Sequence, residues 1–348
     1  MRILIYSDSQ AGEGSERCFH DPTLPLQRYR LSLLYSVLDE LFNELKCDAL
    51  WDGGDNTDDR TSIPIPTLNT VFGGLRPFRK SAQRNRKLIG NHEQWVRSGS
   101  IHVGAVFEGI FDVISEPRIE MIEGIKVLFA SYPAETFDME GWLDANLKKG
   151  ERSLVFGHFQ VEGTKDRDGR TLKGGVHVSI LKKATMALLG HIHHPQSITD
   201  TIHYIGSPFQ QDFGESGEEK RVALLDLPSL DLEWVGMAGF PTYQTLPMDQ
   251  WERAIENDLD SENRYRVVLG SRDDHERYLQ HPNMRRAMPV YEGLTSANDI
   301  RINAPRVGPV SFDAADVLGR YFKSRPPTDL HGIGSEEFLQ FGLDLLAR

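Results

Sequence analysis

Two imidazoles separated by one residue, in Leu188-Leu189-Gly190-His191-Ile192-His193-His194, are the clearest chemical signal in this chain. In an extended backbone residues i and i+2 face one side, so His191 and His193 can address a common point. Imidazole nitrogen is a frequent ligand of divalent transition metals. Further polar clusters precede this pair: Asp8 with Gln10, Asp55 after Gly53-Gly54, Asn91 with His92 after Gly90, and His158 after Gly157. Carboxylates, an amide oxygen and imidazoles make a mixed oxygen/nitrogen donor set. Such a set suits manganese, iron or zinc better than calcium or magnesium alone. Asp55 stands alone after its glycines, as expected of a carboxylate shared between two ions. The glycines beside these residues let the backbone turn sharply and approach closely.

The elements that must position these groups are short buried strands. Arg2–Tyr6, Ala49–Trp51, Lys87–Ile89, Lys126–Ala130, Ser153–Phe156, Met186–Leu189 and His203–Ile205 are apolar or β-branched runs, and the polar clusters fall just after five of them. In α/β proteins the ligand crevice lies at the carboxyl ends of the strands. Leu31, Leu34, Leu38, Leu41 and Leu45 recur at helical spacing and predict an amphipathic helix over 27–46. Val222 to Val235 reads as a hairpin turning at Pro228-Ser229. The pattern changes after Gly236. Residues 242 to about 295 read as a small α+β unit with helices near 250–258 and 273–280 and a strand at 265–269. Beyond Arg306 two helices, 314–323 and 336–347, flank Pro326-Pro327 and carry apolar faces suited to a coiled coil or to each other.

A length of 348 residues suits one large domain with appendages. Two cysteines, Cys18 and Cys47, argue against a disulfide framework and for a reducing compartment. No apolar window is long enough for a membrane-spanning helix, and the amino terminus is too quickly polar for a signal peptide. A formal net charge of −12 disfavours a polyanionic partner globally but says nothing of local patches. Two such patches exist. Arg76, Arg79, Lys80, Arg84, Arg86 and Lys87 form an acid-free basic stretch, and Lys165, Arg167, Arg170 and Lys173 share one loop with Asp166 and Asp168. Either is a solvated surface or a track for a phosphate backbone.

Taken in order, Asp8-Ser9-Gln10, Gly54-Asp55, Gly90-Asn91-His92-Glu93, Gly157-His158 and Gly190-His191-Ile192-His193 resemble the calcineurin-like metallophosphoesterases. That resemblance implies an α/β, four-layer αββα sandwich holding two divalent ions. Manganese is the first expectation, with iron, zinc or magnesium as alternatives. It implies Asp8, Gln10, Asp55, Asn91, His158, His191 and His193 as ligands. His92 is then the group that contacts phosphate or protonates the leaving oxygen. One block departs: Gln10 stands where the family has histidine, which weakens or shifts one ion's preference.

His203-Tyr204-Ile205-Gly206-Ser207-Pro208-Phe209, followed by Asp212-Phe213-Gly214-Glu215, is similar to a block in the SbcD-type DNA repair exonucleases. This narrower resemblance implies a nuclease domain over 1–235, a capping domain over 242–300 and an ATPase-binding helical tail over 306–348. It further implies DNA as substrate, an SbcC-like ABC ATPase partner, a homodimer, and a cytoplasmic location, in host cytoplasm if phage-encoded. A histidine often found three positions after Gly-Asp is Asp58 here, which is left to position water or substrate. A small-nucleotide phosphodiesterase or phosphatase, and a DNA-end scaffold weakened through Gln10, are the alternatives.

Overall fold

The computed structural model describes residues 1–96, 98–166 and 169–291, all within one compact unit, Met1–Glu292. The predicted tail, with its partner-binding faces, and Arg167 lie outside the described residues.

In chain order the elements are β1 (Arg2–Tyr6), α1 (Leu26–Glu44), β2 (Ala49–Asp52), α2 (Ile65–Leu75), β3 (Arg86–Leu88), β4 (Asp112–Ile114), β5 (Arg118–Ile122) and β6 (Ile125–Ala130). Then follow α3 (Met139–Asn146), β7 (Ser153–His158), α4 (Val178–Leu181), β8 (Met186–Gly190), β9 (Gln196–Thr199), β10 (Ile202–Tyr204), β11 (Arg221–Asp226) and β12 (Asp231–Gly236). The last are β13 (Tyr243–Pro247), α5 (Met248–Glu256), β14 (Arg264–Leu269), α6 (Arg272–Gln280) and β15 (Ala287–Tyr291).

Two six-stranded sheets result, ordered β12-β11-β1-β2-β3-β4 and β5-β6-β7-β8-β10-β9. Their central strands bury both faces, and the period of two decides which face meets what. In β1, Leu4 and Tyr6 pack against Leu31, Leu34, Leu38 and Phe42 of α1, while Ile3 and Ile5 face the second sheet. There Val127, Phe129, Leu154, Phe156 and Leu188 meet them, and Trp51 sits 5.2 Å, centroid to centroid, from both Phe129 and Phe156. The far faces of β6, β7 and β8 present Leu128, Val155, Ala187 and Leu189 to α3 and α4. The layers are therefore helix, sheet, sheet, helix. α/β with an αββα sandwich is the observed architecture.

The predicted hairpin is β11–β12, paired antiparallel and joined to β1. The helix α2 is not among the predicted elements: Leu68, Val71, Phe72 and Leu75 recur at helical spacing, but the Gly73-Gly74 pair argues locally against helix. Packing supplies the reason for the glycine: a Cβ on Gly74 would collide with the Tyr35 ring of α1. The 242–295 segment contains one predicted strand but three observed ones, β13, β14 and β15, all parallel and alternating with α5 and α6. Its core is Met248, Trp251, Ile255, Val267 and Leu269. It is tied to the amino-terminal loop where the buried Glu262 carboxylate accepts the backbone N–H groups of Phe19 at 2.6 Å and His20 at 2.9 Å.

Candidate metal centre

The carboxyl ends of β1, β2, β3, β7 and β8 converge. The first sheet delivers Asp8, Gln10, Asp55 and Asn91, and the second delivers His158, His191 and His193. The turns that aim them are strained. Among the described residues, seven non-glycine residues have φ in the left-handed region, and four are Asp8 (57°), Gln10 (51°), Asp55 (53°) and His191 (87°). Such conformations persist where the surroundings over-determine them, which is characteristic of binding sites. Close approach explains Gly90, where a Cβ would collide with the Asp55 carboxylate, and Gly190, where it would come 2.7 Å from the Gly53 carbonyl.

The donors fall into two half-clusters meeting at Asp55. On one side His158 Nε2 lies 3.2 Å from Asp55 Oδ2 and 3.3 Å from Asn91 Oδ1, whose oxygen is 2.8 Å from His191 Nδ1. One ligand atom each from Asp55, His158 and His191 fits within 4.8 Å. On the other side Gln10 Nε2 lies 3.4 Å from both Asp55 Oδ2 and His193 Nε2, and His193 Nε2 is 4.0 Å from Asp8 Oδ1. The buried Gln10 Oε1 has no hydrogen-bond partner. An unsatisfied buried oxygen is costly unless something else claims it. The donor set and that oxygen both fit divalent ions.

Hydrogen bonds set the imidazole tautomers. His158 Nδ1 donates to the Gly53 carbonyl at 2.7 Å, leaving Nε2 toward Asp55. His193 Nδ1 is held by Glu215 Oε1 at 3.2 Å, leaving its Nε2 toward Asp8 and Gln10. This is the carboxylate–histidine support that raises ligand basicity and orients the ring. Burial disfavours the His158 cation, yet Asp55 and Asp8 outweigh it and lift the ring to about 9. The same carboxylates favour any cation there. Burial and neighbouring His158 push His191 down to about 3, so that ring is neutral. Burial raises the Asp55 carboxyl, but His158 and the His92 backbone N–H outweigh it and bring it to about 2.

No family model matches the chain. Over 172 residues it is 24% identical to the SbcD chain of the SbcCD nuclease from Staphylococcus epidermidis. The match covers 42% of this chain and 46% of that protein, about half the relative's length. The chain resembles the SbcD-type calcineurin-like metallophosphoesterases. Among solved structures, a dimetal phosphatase from Danio rerio aligns with 12% identity and TM-score 0.41, over 68% of this chain and 99% of that one. An archaeal phosphodiesterase (12%, TM-score 0.31, 68% and 99%) and an E. coli phosphoesterase (12%, TM-score 0.30, 68% and 100%) follow. At these TM-scores they carry no argument about this chain.

The SbcD-like block after β10 has a physical role. Ser207 N donates to the His193 carbonyl at 3.0 Å, and the buried Lys220 ammonium reaches that carbonyl at 3.1 Å and Glu215 at 2.8 Å. His193 is thus clamped on both its ring and its backbone. Burial opposes the Glu215 charge, but His193 and Lys220 outweigh it and bring the carboxyl to about 2. Glu215 and Lys220 were not among the predicted site residues; a carboxylate trailing a histidine ligand at a fixed block is the signal that points to Glu215. His92 is half-exposed, with Nδ1 2.6 Å from the Asp58 carbonyl and its backbone N–H donating to Asp55 Oδ1 at 2.8 Å. Asp58 therefore meets His92 through its backbone oxygen, while its carboxylate stands 3.9 Å away.

The predicted basic track requires correction. Lys87 is fully buried, 2.9 Å from Asp52 and 2.7 Å from Glu93. Burial opposes the Lys87 charge, but those two carboxylates raise its pKa above the ordinary value. Glu93 in turn accepts the backbone N–H groups of Gly90, Asp55 and Asn56, so Lys87 underpins the ligand loops and cannot meet DNA. Arg86 is taken up by Glu120 at 2.8 Å with little exposure. Arg76, Arg79, Lys80 and Arg84 are exposed but precede β3, at the amino ends of the parallel strands and away from the converging ligands. Lys165, Arg170 and Lys173 are exposed on the loop that leaves β7 directly after His158.

Proposed function

We propose that this protein is a two-metal phosphodiesterase acting at DNA ends, with Asp8, Gln10, Asp55 and His193 holding one ion and Asp55, Asn91, His158 and His191 the other. The convergence of both half-clusters on Asp55 carries the reading. Two divalent ions, manganese first, supply Lewis acidity toward phosphoryl oxygens and lower the pKa of an attacking water. His92, its Nδ1 engaged by Asp58, keeps Nε2 for a phosphate oxygen or for protonating the leaving oxygen. Gly53, Glu215, Lys220 and the Lys87–Glu93 pair hold the ligands in place.

DNA as the substrate is supported by the SbcD-like block and by the likeness to a nuclease component. Lys165, Arg170 and Lys173 on the loop that follows His158 are the candidate backbone contacts, giving sequence-independent, salt-sensitive binding. An SbcC-like ABC ATPase partner, a homodimer and a cytoplasmic setting belong to the same proposal. No described helix is long and apolar enough to cross a membrane.

The test compares wild type with Asp55→Ala in manganese-dependent hydrolysis of bis(p-nitrophenyl) phosphate and of linear DNA. Activity on both substrates, lost in Asp55→Ala, is expected. Activity on the small diester alone would favour a small-nucleotide enzyme. Wild type matching the variant on both would overturn catalysis.

A further inference from the structure

Of the five tryptophans, Trp51 and Trp251 are fully buried and Trp142 and Trp234 are partly covered, but Trp95 is 56% exposed. It sits in the segment that directly continues the Gly90-Asn91-His92-Glu93 block. The stem there is held by main-chain pairing: Val103 N donates to Glu93 O at 3.0 Å, Gln94 bridges His102, and Trp95 N donates to Ile101 O at 2.9 Å. Gln94 is buried and its amide donates to the Tyr132 carbonyl at 2.7 Å, while the Tyr132 ring lies 5.5 Å from His191. The stem carrying Trp95 is therefore braced against the same residues that flank the candidate ligands. Four Cα–Cα steps separate Trp95 from Asn91, so their Cα atoms lie within about 15 Å.

We infer that Trp95 is a stacking platform for an unpaired nucleobase of the DNA strand whose phosphate lies at the metal centre. This rests on the nucleic-acid reading above. An indole left in water costs hydrophobic free energy, and an exposed indole on a braced stem close to a phosphodiester site presents a flat face that every base can meet. The basic loop after His158 would hold phosphates, and Trp95 a base. This division predicts a preference for unpaired ends over fully paired ones.

The experiment uses the full chain in manganese with a fluorescein-labelled, hydrolysis-resistant phosphorothioate oligothymidylate and a blunt phosphorothioate duplex of equal length, read by anisotropy. Trp95→Ala should weaken oligothymidylate binding on the order of tenfold, and Trp95→Phe, which keeps an aromatic face, by about threefold at most. Blunt-duplex binding should stay unchanged in both. No loss on oligothymidylate, or an equal loss on the duplex, would overturn the stacking role. So would an unchanged oligothymidylate affinity together with a smaller species on sizing, which would make Trp95 a contact with a second copy. If wild type binds as expected but fails to hydrolyse bis(p-nitrophenyl) phosphate with manganese, the catalytic reading falls while the binding comparison still decides the stacking.

Discussion

The two central sheets contribute opposite chemistries to one point. The sheet containing β1, β2 and β3 supplies oxygen, from Asp8, Gln10, Asp55 and Asn91, and the sheet containing β7 and β8 supplies nitrogen, from His158, His191 and His193. The oxygen donors sit on tight turns, three with left-handed φ, where polar side chains reach the common point from strained backbone. The imidazoles are longer and rigid, so their placement is governed by what holds the far ring nitrogen: Gly53 for His158 and Glu215 for His193. Each set also rests on a buried lysine, Lys87 beneath Asp55 and Asn91, and Lys220 behind His193. The oxygen set is positioned mainly by backbone strain, and the imidazoles by hydrogen bonds to the ring at His158 and His193 and by left-handed backbone at His191.

Asp55→Ala removes the residue that both donor half-clusters share and should lower manganese-dependent diester hydrolysis on the order of a thousandfold or more, with loss of both ions by elemental analysis. His158→Ala should lose one of the two ions and spare the other; loss of both would mean that the halves are not separable. Lys87→Met leaves Asp52 and Glu93 buried without their partner and should cost about 3–5 kcal/mol of stability, read from the urea midpoint. Glu215→Gln frees the His193 ring and should weaken metal affinity at the His193 half-cluster about 10- to 100-fold. Gln10→His brings an imidazole into the oxygen half and should tighten manganese there by about tenfold, measured by titration calorimetry. If Gln10→His has no effect, the amide is not a ligand and the contrast between the halves is sharper still.

The blocks that converge were legible in the sequence because metal chemistry would demand particular atoms and strand ends demand particular turn residues. Gly190-His191-Ile192-His193 and Gly90-Asn91-His92 show both at once. The buried strands were legible for a similar reason, since a strand covered on both faces must be apolar throughout. Helix α2 was not, because its Gly74 is chosen by the Tyr35 ring from another element. The basic stretch from Arg76 to Lys87 misled for the opposite reason. Charge is visible in a sequence, but whether it meets solvent, a carboxylate or a nucleic acid is not.

The sequence by itself determined the donor types, their order and their placement after strands, because these are local requirements of coordination and turning. Only the tertiary structure decided that Lys87 is a buried strut, that Glu215 orients His193, and that Gln10 keeps its buried oxygen unclaimed while its amide nitrogen meets Asp55 and His193. Those facts depend on which side chains from distant segments share the same few ångströms, and burial, not residue type, sets what a charge there can do.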